Sequence, residues 1–232
     1  MPRKARILLA NMPHHIVQRG HNREPVFLAD EDYQYYRDNL FEWKEKLDIR
    51  LYAWCLMTNH VHLLVEPGDR PETVSLLMKR LAGRQAAYVN KLEGRRGSLW
   101  EGRFKASVVQ AESYFLACCR YIELNPVRAG MVRGPRQYKW SSYRARIGVE
   151  KGLELDGHEE LRRLGRNGEQ GVAAYKEFIK AGVPADELAF LSEAWSRNQL
   201  TGNRRFVDEI ERRVGLRIEH RRPGRPGWVT NR

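Results

Sequence analysis

His60 and His62 stand two residues apart in the run Thr58-Asn59-His60-Val61-His62-Leu63-Leu64-Val65. Neutral imidazole is a common metal ligand. The run is apolar and β-prone, as is Leu51-Tyr52-Ala53-Trp54-Cys55-Leu56-Met57 before it. The two segments read as strands joined by a tight Thr58-Asn59 turn. Residues i and i+2 of a strand share a face, so the two imidazoles stand side by side as half of a metal site. Such a pair is more often two polar residues on a solvated strand face. It gains meaning only if the chain supplies a third donor and a nucleophile.

Tyr121 and Asn125 supply that possibility. They are four residues apart, hence neighbours on one helical face. A tyrosine hydroxyl beside a metal-bound phosphate can act as a nucleophile. The metal polarises the phosphoryl oxygens, and the phenol sheds its proton as it attacks. The product is a covalent phosphotyrosine that conserves the bond energy for rejoining. Tyr114 lies two turns earlier on a similar face but lacks a partner one turn on. It reads as core or as a DNA contact.

The elements that must position these groups are legible in outline. His14 to Gly20 reads as a first, edge-like strand ending at a glycine turn, in which one of His14 and His15 could stand near the site but structural roles are the stronger expectation. Asp30 is the expected N-cap of a helix over 31–48, with Tyr33, Tyr36, Leu40 and Leu47 at helical spacing. The two strands of the histidine motif follow, then a helix from Pro71 to about Leu92 with a basic face. Ala106 to Gln110 is a fourth strand, and Ser113 caps a helix from about Tyr114 to Leu124 that Pro126 stops. The order β-α-β-β-α-β, then a helix, predicts an α+β, ferredoxin-like split βαβ arrangement with an antiparallel sheet. Beyond about Gln137 helices are expected near 157–165, 169–181, 185–198 and 203–214. This divides the chain into a catalytic domain (1–136), a helical C-terminal extension (137–215) and a basic tail (216–232) expected to be extended.

The 232 residues carry 41 Lys+Arg against 29 Asp+Glu, a net charge of +12. A basic chain of this size is expected to meet a polyanion, and arginines beside aromatics point to nucleic acid. Arg19, Arg23, Arg84, Arg103 and Lys105 are expected to contact DNA phosphates or bases. Trp100, Phe104 and Trp140 can stack on unpaired bases, though each serves equally well as core. Arg222 and Arg225, in Arg221-Arg222-Pro223-Gly224-Arg225-Pro226-Gly227, resemble a minor-groove hook. No run is long enough to span a membrane, and the N-terminus lacks a cleavage site. Cys55, Cys118 and Cys119 read as reduced packing residues, so the expected location is a cytoplasm.

His60-Val61-His62 matches the HUH signature, and Tyr121-Ile122-Glu123-Leu124-Asn125-Pro126-Val127-Arg128-Ala129-Gly130 matches the helix that carries a single nucleophilic tyrosine. Together with Val17-Gln18-Arg19-Gly20, Leu99-Trp100-Glu101-Gly102-Arg103-Phe104 and Trp140-Ser141-Ser142-Tyr143, these segments resemble the REP-associated tyrosine transposases over roughly residues 13–145. The resemblance implies cutting and joining of single-stranded DNA at palindromic hairpins, the repetitive extragenic palindromes. Tyr121 would attack the scissile phosphate, giving a 5′-phosphotyrosine and a free 3′-hydroxyl. His60 and His62 would bind Mg²⁺ or Mn²⁺. Related enzymes commonly place a glutamine as the third ligand where this chain has the shorter Asn125. Two imidazoles and an amide suit Mn²⁺ at least as well as Mg²⁺. The partner would be hairpin DNA, the chain a monomer or a homodimer. The alternatives are a hairpin-binding protein that does not cut and a metal-dependent DNA phosphodiesterase that uses water.

Overall fold

The computed structural model describes residues 6–165 and 168–218. Four strands, β1 (His14–Arg19), β2 (Ile49–Met57), β3 (His60–Pro67) and β4 (Lys105–Val108), form one antiparallel sheet in the order β2-β3-β1-β4. This is the expected split βαβ order. Helices α1 (Asp30–Lys46) and α2 (Glu72–Leu92) connect the strands, and α3 (Ala111–Glu123) follows β4. The chain continues through α4 (Asn125–Arg128), α5 (Tyr143–Arg146), α6 (Glu159–Arg162), α7 (Gly168–Lys180), α8 (Ala185–Arg197) and α9 (Arg204–Val214). Among the described residues no helix is long and apolar enough to cross a membrane.

The inner strands explain why the sequence alternation is weak in the middle of the sheet. Residues 61–67 of β3 are all buried, because helices cover both faces. Val61, Leu63 and Val65 are fully enclosed, each contributing roughly 1.5–3 kcal/mol through burial. The opposite face carries His60 and His62. Register places Arg19 opposite His60, Val17 opposite both His62 and Lys105, and His15 opposite Leu64 and Ser107. Directly paired residues share a face, so Arg19, His15, Lys105 and both motif histidines look the same way. β1 is therefore not the edge strand expected from its sequence. It is paired on both sides, and both His14 and His15 are completely buried.

The helix starts differ from the sequence reading for a local reason. Asp30 is the first residue of α1 and not its cap. The Asp32 carboxylate accepts from the backbone N–H of Leu28 at 2.7 Å and of Ala29 at 3.0 Å, satisfying donors ahead of the helix. Likewise α3 starts at Ala111 after Gln110, ahead of Ser113. Pro126 does not end the chain's helical path; it sits in the first turn of α4, where its missing N–H costs nothing. The expected helix over 157–165 is a single turn, α6.

Both edges of the sheet are covered by the chain itself. On β2, Leu56 N–H donates to Trp140 O at 2.9 Å, Ser142 N–H to Trp54 O at 2.9 Å, and Trp54 N–H to Ser142 Oγ at 3.0 Å. On β4, Ala106 N–H donates to Asn198 Oδ1 at 3.0 Å and Thr201 N–H to Val108 O at 2.8 Å.

A buried polar knot fixes α3. Glu123 is fully enclosed. Its Oε1 accepts from Ser142 Oγ at 2.6 Å and Arg146 Nε at 3.0 Å, and its Oε2 accepts from Tyr175 O–H at 2.7 Å. Two motif segments, the tyrosine helix and Trp140-Ser141-Ser142-Tyr143, thus meet at one carboxylate. Removing one partner of a buried ion pair strands the other charge. Glu123→Ala is expected to cost about 3–5 kcal/mol, read as a lower urea midpoint at pH 7.5.

Candidate active site

The tyrosine helix lies over the histidine face. The Tyr121 ring is 5.8 Å from the His62 ring and 5.5 Å from the His15 ring, centroid to centroid, edge-on to both. The His60 and His62 rings are 4.9 Å apart. The Tyr121 hydroxyl accepts a hydrogen bond from Trp195 Nε1–H at 3.0 Å and lies 3.2 Å from Ser192 Oγ. Both partners belong to α8, and Tyr121 is 3% exposed beneath them. Arg120, one residue before, is held to α8 by Glu187, with both carboxylate oxygens at 2.8 Å.

Hydrogen bonds define which histidine nitrogens face the site. Asn59 donates from Nδ2 to Arg23 O at 2.8 Å, so its Oδ1 is the atom 2.7 Å from His60 Nδ1. That oxygen can only accept. His60 therefore carries its proton on Nδ1 and leaves Nε2 bare. His62 Nδ1 is engaged by His15 Nε2 at 2.9 Å, so its free nitrogen is again Nε2. Burial first, then the Arg19 and Arg128 charges, push the His60 pKa down to about 4. Burial and the neighbouring His60, His15, Arg128 and Arg19 hold His62 well below its ordinary value. Both rings are neutral at pH 7, the form that ligates metals.

The donor set fits a divalent cation of the manganese kind. Among the described residues no three His, Cys, Asp or Glu side chains come together to hold a metal, so a third donor must be an amide or the substrate. Asn125 is 8% exposed, and its Nδ2 donates to Tyr121 O at 2.9 Å. Its Oδ1 is the atom left to offer a cation.

Next to the histidines a cleft of about 430 Å³ is lined by Arg6, Arg19, Arg103, Lys105, Phe104 and Trp195, with the Glu101 carboxylate among them. Among the described residues Arg6, Arg19, Arg103 and Arg128 make no ion pair with a carboxylate. Burial, then the nearby Arg103 charge, lowers the pKa of Arg6. The Arg128 guanidinium stands 4.7 Å over the Tyr121 ring.

The expected DNA-contact residues divide. Arg19, Arg103 and Lys105 line the cleft, and Arg23 is exposed beside the Thr58-Asn59 turn. Arg84 is instead engaged by Asn39 and Glu42, and its guanidinium stacks 5.2 Å from Trp43. Trp100 is 6% exposed, with its indole N–H donating to Ala82 O at 3.1 Å, which makes it a core residue. Trp140 is stacked 4.9 Å from Tyr33, and Phe104 is capped by Arg6 at 3.9 Å. Tyr114 packs 5.1 Å from Phe190. The three cysteines are buried and free. Arg222 and Arg225 lie outside the described residues. Sequence reading favoured a structural role for His15 and missed Asn59, Ser192, Trp195 and Arg6. Only Asn59 left a local signal, being adjacent to the first histidine.

A split βαβ sheet thus sets two histidines against a helix-borne tyrosine, beside an arginine-rich cleft. The chain belongs to the family described as "Transposase IS200 like", whose model matches residues 9–125. The solved structure of a REP-associated tyrosine transposase bound to a REP hairpin shares its fold. The TM-score is 0.55 at 16% identity, over 68% of this chain and 96% of that one. A second structure, of a proposed transposase from Deinococcus radiodurans, gives a TM-score of 0.37 at 24% identity over 50% of this chain and 91% of that one. No curated protein matches the chain.

Proposed function

We propose that the protein cuts and rejoins single-stranded DNA at palindromic hairpins through a covalent bond to Tyr121. The observation that carries this reading is the Tyr121 ring set edge-on to His62 at 5.8 Å, with the Nε2 atoms of both motif histidines left without a partner among the described residues. Family membership and the fold shared with a hairpin-bound transposase support it. The Tyr121 oxygen forms a bond to the scissile phosphorus, the bond from phosphorus to the 3′-oxygen breaks, and that oxygen leaves as a hydroxyl once protonated. Rejoining reverses these bonds with another 3′-hydroxyl. His60, His62 and the Asn125 carbonyl would hold Mn²⁺ or Mg²⁺, which when bound polarises the phosphate. Arg19 and Arg128 supply fixed positive charge beside the same spot, and Arg6, Arg103 and Lys105 would follow the unpaired strand along the cleft.

The deciding experiment incubates end-labelled hairpin DNA with the protein and Mn²⁺, then runs a denaturing gel. A protease-sensitive, slowed band is the expected result; cut DNA free of protein would point to water as the nucleophile. One observation favours the non-cutting alternative, namely the enclosure of the Tyr121 hydroxyl by Trp195 and Ser192. Tight hairpin binding with no slowed band would establish that reading instead.

Arg128→Ala is expected to slow adduct formation about 10²–10³-fold, the usual effect of losing one fixed donor to developing charge. Hairpin affinity should change far less. Equal adduct rates for the two proteins would remove Arg128 from the site.

A further inference from the structure

His15 has no part in the chemistry described so far, yet its ring is hydrogen-bonded to that of His62. It lies on β1, directly opposite Leu64, and so is the diagonal neighbour of His62 across the β1–β3 pair. The two rings stack at 5.2 Å with 26° between their planes, and His15 Nε2 is 2.9 Å from His62 Nδ1. His15 is completely buried, and among the described residues its Nδ1 has no hydrogen-bond partner. An apolar residue would avoid that orphaned nitrogen, whose enclosure costs free energy. The ring is explained if its other nitrogen serves His62.

One hydrogen lies between the two rings, and it has two places to be. On His62 Nδ1, it leaves His62 Nε2 bare and facing the site. On His15 Nε2, it makes His62 Nδ1 the acceptor and obliges His62 to carry its own proton on Nε2, where no metal can bind. The first motif histidine faces no such choice, because the Asn59 Oδ1 beside it only accepts. Ligating histidines in general give their second N–H to such an acceptor, which fixes the ring and raises its basicity.

We propose that His15 is a positioning residue for the metal site: it accepts the Nδ1–H of His62 and so sets the tautomer in which His62 can ligate. The inference rests on reading the His60–His62 pair as metal ligands. It gives an imidazole on β1 the same task that an amide performs in the turn before β3.

The test is a Mn²⁺ titration of the full chain, with the free ion followed by electron paramagnetic resonance. His15→Phe keeps the ring volume but accepts nothing, and is expected to weaken Mn²⁺ binding about 10–100-fold. His15→Gln, whose Oε1 can accept from Nδ1–H, is expected to recover most of it. Equal affinity in His15→Phe and the unaltered protein overturns the proposal, as does an equal loss in both variants, which would mark a packing role. Because His15 is a core residue, a second measurement needs no substitution. Long-range ¹⁵N–¹H spectra of the unaltered protein with Mg²⁺ should show a proton on His62 Nδ1 and none on His15 Nε2. A proton on His15 Nε2 overturns the assignment. Absence of Mn²⁺ binding by the unaltered protein would refute the metal reading of the pair together with this inference, a result distinct from loss confined to neither variant.

Discussion

Tyr121→Phe is expected to abolish the covalent protein–DNA species, by on the order of 10³-fold or more, while hairpin binding persists. The substitution removes one oxygen and keeps the ring. That ring makes the edge-on contacts to His15 and His62 and lies beneath the Arg128 guanidinium. The fold should notice only the lost hydrogen bonds to Trp195 and Ser192, worth about 1 kcal/mol each. Adduct yield and hairpin affinity are therefore expected to separate cleanly, the first read on a denaturing gel and the second by native gel shift. Cleavage that survives in Tyr121→Phe would mean that water attacks and that the tyrosine is structural.

The second large effect is on stability in mild acid. Burial lowers the pKa of His14 to about 4 and of His15 to about 3. For His14 a backbone bond to Met12 opposes this weakly. The folded protein keeps both rings neutral, whereas the unfolded chain protonates them near the ordinary value of about 6.5. Below that value the unfolded state binds more protons, so stability falls as pH falls. The loss begins near pH 6.5 and continues until the folded values, about 4 and about 3, are reached. At pH 5 each ring should cost about 2 kcal/mol, because 1.5 units separate that pH from the unfolded value at about 1.4 kcal/mol per unit. The joint loss from these two rings, about 4 kcal/mol, to which His60 and His62 add in the same direction, is a large share of the roughly 5–15 kcal/mol that holds a domain folded. Urea melts at pH 7.5 and pH 5 measure it, and coincident midpoints would contradict the account.

The strand order could be read from the sequence because each element carries its own periodicity. The apolar stripe of Tyr33, Tyr36 and Leu40 needs only the 3.6-residue repeat, and the paired histidines need only the two-residue repeat. What lies around the site was not legible in the same way. His15 and Trp195 reach it from 47 residues before His62 and 74 after Tyr121, and no local pattern records a contact of that span. The status of Trp100 and Arg84 also depends on what covers them. An arginine beside an aromatic looks the same whether it awaits a phosphate or, as Arg84 does, pairs with Glu42 above Trp43. The position of β1 was misjudged because edge and centre differ in their neighbours more than in their own residues.

The closing of both sheet edges limits how the molecule can meet other chains. Strand addition requires a row of free N–H and C=O groups along an outer strand. Here Leu56, Trp54, Ala106 and Val108 have given those groups to Trp140, Ser142, Asn198 and Thr201. A second copy cannot extend this sheet into a continuous one without first peeling away the segments that also anchor Glu123 and α8. Any self-association therefore has to run through helices or loops, and an extended peptide has no ready berth on either flank.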